Sequence, residues 1–194
     1  MGGALQIRFV KSADGIGGLP DSRVEVAVVG RSNVGKSSLI NALGNNKTLA
    51  KTSKTPGRTQ LLNVFELGEG ATLIDCPGYG YASAPMRLRL AWQKMAETYL
   101  LEREQLAMIL VLVDGEIGPT KLDVQMFEWL RAGDLPYAVI ATKHDKVKAA
   151  VREKRKRDLA AGCGVDPAEV VWVSAHKGTG MDRLRGLVVG WLSL

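Results

Sequence analysis

Gly30-Arg31-Ser32-Asn33-Val34-Gly35-Lys36-Ser37 sets two glycines, a lysine and a hydroxyl at the spacing G-x-x-x-x-G-K-S. Residues of these types in this order suit the wrapping of backbone N–H groups around phosphate oxygens. The glycines let the backbone approach closely, Lys36 reaches the β- and γ-phosphates, and the Ser37 hydroxyl is placed to ligate Mg²⁺. Further along, Thr142-Lys143-His144-Asp145 offers a carboxylate that can accept two hydrogen bonds from the N1–H and exocyclic amine of guanine. Adenine lacks that donor pair and would leave the Asp145 carboxylate unpaired, which is the strong form of selectivity. The aliphatic stem of Lys143 can lie along the base. Val171-Trp172-Val173-Ser174-Ala175 ends in a pair whose backbone N–H can meet guanine O6. Between these sites, Asp75-Cys76-Pro77-Gly78 has the D-x-x-G form. Asp75 would hold Mg²⁺ through a water, and the Gly78 N–H would meet a γ-phosphate.

These groups need elements to hold them. Val24-Glu25-Val26-Ala27-Val28-Val29 reads as a buried strand before the glycine-rich turn, and Ser38-Leu39-Ile40-Asn41-Ala42-Leu43 as the helix after it. That arrangement turns a helix N-terminus toward an anion. Strand-like runs at about 24–29, 60–67, 71–75, 106–113, 136–142 and 169–174 alternate with helical segments. The exception is the pair 60–67 and 71–75, which Gly68-Glu69-Gly70 joins as a hairpin. The expectation is an α/β fold, a P-loop domain with a six-stranded, mostly parallel sheet. One strand runs antiparallel and helices cover both faces. The whole of 1–194 is expected as a single domain, with 1–22 as an N-terminal extension packed on it. Every motif then falls at the carboxyl end of a strand, where open α/β sheets bind ligands. Leu88, Leu90, Trp92, Met95, Ala96, Tyr99 and Leu100 recur at helical spacing as a core-facing stripe. Met181 to Leu192 reads as a closing helix.

Lys51-Thr52-Ser53-Lys54-Thr55-Pro56-Gly57-Arg58-Thr59-Gln60 has the composition of a mobile loop. Any of its three threonines could contact Mg²⁺. Thr59 is the preferred candidate, because the next strand begins directly after it. Candidate nucleotide-binding residues are therefore Gly30, Arg31, Ser32, Asn33, Val34, Gly35, Lys36, Ser37 and Ser38, with Gly57, Arg58 and Thr59, then Asp75 and Gly78. Thr142, Lys143, Asp145, Ser174, Ala175 and His176 complete the base side. Ser37, Thr59 and Asp75 are the candidate metal ligands, and Lys36, Thr59 and Gly78 the candidate catalytic groups. Segments held by the γ-phosphate and Mg²⁺ are released on hydrolysis, which makes them switches.

The chain resembles the TRAFAC-class translation-factor-related GTPases, and among them the EngB (YihA/YsxC) family of bacterial ribosome-biogenesis GTPases. The likeness is carried by Phe9-Val10-Lys11-Ser12-Ala13, the glycine-rich loop, Thr52 to Gln60, and Asp75-Cys76-Pro77-Gly78-Tyr79-Gly80-Tyr81-Ala82. It continues through Asp114, Asp123-Val124-Gln125-Met126 and Thr142-Lys143-His144-Asp145-Lys146. Cys76, His144 and Glu116 depart from the leucine, alanine and arginine usual there. The resemblance implies a Ras-like P-loop GTPase domain, GTP and GDP as ligands, Mg²⁺ as cofactor, the large ribosomal subunit (its RNA and proteins) as partner, and a monomer. It also implies a part in cell growth and division-septum formation. Tyr79 stands where many related GTPases carry the glutamine that orients water, so slow intrinsic hydrolysis is expected. In related families an asparagine at the position of Asn33 accompanies potassium-assisted hydrolysis, which adds K⁺ as a candidate.

Composition fits a globular protein: 46% hydrophobic, 24% charged, with two cysteines at no metal-ligand spacing. The first residues lack the apolar run of a signal peptide, no stretch approaches membrane-spanning length, and a cytoplasmic setting is expected. Net charge is +6, a balance that favours a polyanion. The densest basic run, Lys146 to Arg157, reads either as a solvated helix face or as an RNA surface. Two other function classes remain: a regulatory module recruiting a protein partner in cell division, and, a distant third, a small-molecule P-loop kinase.

Overall fold

Residues 3–50, 61–80 and 85–193 are described by the computed structural model. The sequence candidates Gly57, Arg58 and Thr59, together with Thr52, Thr55 and Tyr81, lie outside them, as does the side chain of Trp92. The described residues form seven strands and five α-helices, beginning with β1 (Arg8–Ala13), β2 (Val24–Gly30), α1 (Lys36–Leu43), β3 (Leu62–Gly68), β4 (Ala71–Asp75) and α2 (Met86–Glu102). There follow β5 (Leu106–Asp114), α3 (Lys121–Ala132), β6 (Tyr137–Thr142), α4 (Arg152–Cys163), β7 (Val171–Trp172) and α5 (Met181–Leu192). All strands join one sheet in the order β1-β3-β4-β2-β5-β6-β7. β3 pairs antiparallel with both neighbours and every other pairing is parallel.

The sheet therefore has one strand more than the six expected, with the expected single antiparallel strand. The addition is β1, whose residues are exposed except Ala13. It is held by partners distant in sequence. Phe9 meets Phe65 edge-on at 5.6 Å, Ser12 Oγ donates to Asn63 Oδ1 at 2.7 Å, and Arg8 pairs with Glu66. Charged residues on such an edge discourage further strand pairing. At the other edge β7 is shorter than the expected 169–174. Pro167–Glu169 forms a 3-10 turn capped by Asp166, and the chain leaves the sheet after Trp172.

The pleat of β2 sends alternate residues into two cores. Val26 and Val28 join Leu39 and Leu43 of α1 and Leu184 and Val188 of α5. Ala27 and Val29 join Tyr99 of α2, Phe127 and Leu130 of α3 and Leu159 of α4. Each leucine withdrawn from water in this way contributes about 1.5–3 kcal/mol. The stripe expected on α2 packs only along its second half. Tyr99 and Leu100 are buried, while Met86 and Leu90 are 67% and 56% exposed. The first half stands off α3 across a cavity of about 500 Å³ lined in part by Leu90, Leu122, Met126 and Trp129. Among the described residues no helix is long and apolar enough to cross a membrane.

One buried charge ties the start of β2 to the end of α2. Glu25 is fully buried and accepts hydrogen bonds from Tyr99 Oη (3.0 Å), Arg103 Nη2 (2.7 Å) and Ser22 Oγ. Arg103 also donates to the Pro20 carbonyl at 2.8 Å, which ties down the chain leading into β2.

Candidate nucleotide-binding site

The glycine-rich loop runs from the end of β2 to the start of α1, as the motif requires. A Cβ on Gly30 would fall 2.9 Å from Val34 Cγ1, so the tight turn excludes any larger residue. Gly35 serves as N-cap with φ of 110°, a conformation that side chains disfavour. No side chain caps α1, so its first amides are left for the loop's concavity. Asn33 is exposed on the loop in the left-handed conformation, with φ of 63°.

Lys36 is buried, its Nζ 3.8 Å from Asp75 Oδ1. Asp75 ends β4 fully enclosed. Burial pushes its carboxyl above the usual range, and the Lys36 charge pulls in the opposite direction. Asn63 Nδ2 lies 3.5 Å from Oδ2, whereas Oδ1 has no hydrogen-bond partner among the described residues. A buried carboxylate oxygen without a partner, near a lysine and on the same loop cluster as the half-buried Ser37, fits a hard divalent cation with its water shell. Ser37 and Asp75 would hold Mg²⁺, which would supply positive charge to neutralise the nucleotide's phosphates.

The D-x-x-G segment lies against the phosphate loop. A Cβ on Gly78 would come within 3.3 Å of Gly30 O, Ser32 N and Lys36 Nζ. Tyr79 accepts from Ser32 N at 2.9 Å and donates its own N–H to Gly30 O at 3.3 Å. Its hydroxyl donates to Asp123 Oδ1 at 2.8 Å. Burial and the Asp123 charge push the Tyr79 phenol far above its ordinary range, so it stays protonated and keeps that bond. Asp123 in turn closes the capping box of α3, accepting from Thr120 N and Oγ1 at 2.7 Å each. With its proton committed to Asp123, the hydroxyl has none left to donate to an attacking water. Tyr79→Phe should leave single-turnover GTP hydrolysis within about threefold of wild type, because a direct catalytic donor contributes far more. A larger fall in phosphate release would assign the hydroxyl to the chemistry.

On the base side, Thr142 ends β6 with its Oγ1 2.7 Å from the Val34 carbonyl, joining the two loops. Lys143 adopts the left-handed conformation and its Nζ pairs with Asp114 Oδ2 at 2.5 Å, which extends its stem across the site. Asp114 Oδ1 accepts the N–H groups of Glu116 and Ile117. Asp145 is exposed, and Oδ1 accepts from Ser174 Oγ at 2.6 Å, a bond that holds its carboxyl below the usual range. The Ser174 N–H is used by Thr179 O at 2.9 Å. Of the Ser174-Ala175 pair, that leaves Ala175 as the candidate N–H for guanine O6, while the Ser174 hydroxyl holds the Asp145 carboxylate. A cavity of about 160 Å³ is lined by Gly35, Ser38, Thr142, Lys143, Asp145 and His176 among others. It is smaller than the α2–α3 cavity, and it is where the phosphate loop meets Asp145 and the segment that supports it.

Glycine-rich loop, D-x-x-G and base loop thus meet at one rim of the sheet. Sequence reasoning gave no role to Asn63, Asp114 or Asp123, which steady Asp75, Lys143 and Tyr79. Only Asp123 carried a local signal, the T-x-x-D spacing from Thr120 that marks a capping box.

Residues 25–143 match the family model described as 50S ribosome-binding GTPase. The chain is 44% identical over 192 residues to the probable GTP-binding protein EngB of Tolumonas auensis, covering 96% of this chain and 89% of that protein. It is 45% identical over 165 residues to the EngB protein of Geobacter sulfurreducens, covering 85% of this chain and 80% of that one. Among solved structures, a probable GTP-binding protein engB superposes with TM-score 0.71 at 25% identity, over 88% of this chain and 99% of the other. Era in complex with MgGDPNP and nucleotides 1506–1542 of 16S ribosomal RNA gives TM-score 0.68 at 26% identity, over 88% and 57% of the two chains. With the three nucleotide motifs gathered on one rim and this likeness running through nearly its whole length, the chain belongs to the EngB family of GTP-binding proteins, P-loop GTPases that hydrolyse GTP.

Proposed function

We propose that this GTPase is a nucleotide-dependent switch in assembly of the large ribosomal subunit, acting as a monomer in normal cell growth and septum formation. The match of residues 25–143 to the 50S ribosome-binding GTPase model carries the proposal. In the GTP form, Lys36, Gly78 and Thr59 would meet the γ-phosphate, with Mg²⁺ between Ser37, Thr59 and Asp75. Gly57 and Arg58 would follow Thr59 in the switch, and Arg31, Ser32 and Val34 would shape the phosphate loop. K⁺ held beside Asn33 would balance charge developing in a slow hydrolysis. Equal hydrolysis rates in potassium and sodium, with and without ribosomal subunits, would remove the ion from the proposal. Depletion of the protein in its host, followed by sucrose-gradient analysis, tests the assembly role. Immature large subunits should accumulate, and wild-type protein but not Lys36→Ala should clear them. A normal subunit profile on depletion would overturn it.

The second reading, a module recruiting a protein partner in division, draws on the exposed Met86, Leu88 and Leu90 that follow the D-x-x-G segment. An apolar group next to a switch suits a protein contact. Loss of division with an intact subunit profile would favour it.

A further inference from the structure

We infer that the exposed basic face from Lys148 through Lys154 and Arg157 of α4 docks the phosphate backbone of duplex RNA, an inference that rests on the ribosomal reading and assigns the surface. Residues 146–157 hold seven lysines and arginines against one acid, Glu153. That excess of six is packed into twelve consecutive residues and is as large as the net +6 of the whole chain. Four of the seven have partners. Arg152 donates to Val147 O, Arg155 to Ile117 O and Lys156 to Glu153, while Lys146 lies 3.7 Å from Glu116. Lys148, Lys154 and Arg157 are exposed and make no ion pair or hydrogen bond through their side chains among the described residues. Of the nearby exposed acids, Glu153 is taken by Lys156, and Asp158 offsets one charge.

This arrangement works against the stability of the helix. Cations in the first turns of α4 oppose the helix dipole, and neighbouring like charges repel. Packing does not explain them, because the buried residues of α4 are Leu159, Ala160 and Cys163, all beyond the basic run. A polyanion bound there would relieve both penalties. Residues 143–163 include no phenylalanine, tyrosine or tryptophan, the side chains on which single-stranded bases most often stack, which favours contact with the phosphates of a duplex. Nor does the first half of α4 present the apolar face that lies in a membrane surface. The segment follows directly on Asp145, which GDP and GTP would engage alike. Docking through α4 should therefore be indifferent to the γ-phosphate, leaving discrimination to the switches.

The test is the triple variant Lys148→Ala, Lys154→Ala, Arg157→Ala, checked for unchanged GDP affinity. Its binding is measured to a plain RNA duplex and to large ribosomal subunits, with GDP and with a non-hydrolysable GTP analogue, across a salt series. The expected result is a duplex affinity down about tenfold or more and a log–log salt slope shallower by about two to three. Subunit binding should weaken by one factor in both nucleotides. Unchanged duplex affinity and slope would overturn the inference, and a loss confined to subunits would do so too, by placing a ribosomal protein opposite α4. Wild-type protein that binds the duplex through α4 yet fails to bind subunits would overturn the ribosomal reading alone.

Discussion

Asp145→Asn should lose GTP and GDP affinity by about a hundredfold to a thousandfold and gain affinity for xanthine nucleotides. Guanine presents two donors, N1–H and the 2-amino group, to the carboxylate. Replacing one carboxylate oxygen by an amide sets donor against donor and leaves a donor of the bound base unpaired, a loss of about 3–4 kcal/mol. Xanthine carries a carbonyl at C2, which the new amide can serve. The fold should be unaffected, because Asp145 is exposed and asparagine keeps an oxygen for Ser174 Oγ. Competition titration with GDP and xanthosine diphosphate reads both effects, and equal loss of the two would remove Asp145 from base recognition. A pH effect follows from the same bond. Because Ser174 holds the Asp145 carboxyl below its usual range, the charged form persists in acid and guanine affinity should stay level below about pH 5, where an ordinary aspartate approaches its pKa near 4. In Ser174→Ala that carboxyl rises, so affinity should begin to fall at a higher pH than in wild type.

Glu25→Ala should be the most damaging single change outside the nucleotide site. It strands the Arg103 guanidinium, whose side chain is 12% exposed, and removes the acceptor of the buried Tyr99 hydroxyl. Breaking such a pair from one side costs about 3–5 kcal/mol, a large share of the roughly 5–15 kcal/mol that holds a domain folded. Denaturant titration should show a lower midpoint at similar slope. Replacing both partners, Glu25→Met with Arg103→Met, should recover much of the loss, because the penalty lies in the uncompensated charge. If the single variant unfolds at the wild-type midpoint, the network does not hold β2 to α2.

The contrast between these two residues explains what could be read from the chain. Asp145, Lys36 and Gly78 were legible because their chemistry demands a fixed local spacing on a strand end. Gly35 was legible for a second reason, since only a residue free at positive φ turns the loop into α1. Glu25 looked like one polar residue in a β-branched strand, and its partners Tyr99 and Arg103 lie 74 and 78 positions away. β1 escaped for the same reason: its residues are mostly exposed, and its evidence is the pairing with β3 far along the chain. Helical spacing in α2 announced the helix, and a core-facing stripe that holds only in its second half. It could not tell that the first half, around Leu88 and Leu90, would face a cavity and solvent. Asp114 and Asp123 were seen as likenesses to a family and acquired physical roles only when Lys143 and Tyr79 were found against them.

The most direct test of the central claim is co-sedimentation of the purified protein with large ribosomal subunits at physiological salt, comparing GDP with a non-hydrolysable GTP analogue. Salt must be held near about 0.15 M, because a basic protein binds any RNA when screening is weak. A GTP-gated assembly switch predicts binding tighter with the analogue by about five- to a hundredfold, the usual range of coupling between two sites. Equal pelleting in the two nucleotides, or none in either, would contradict it.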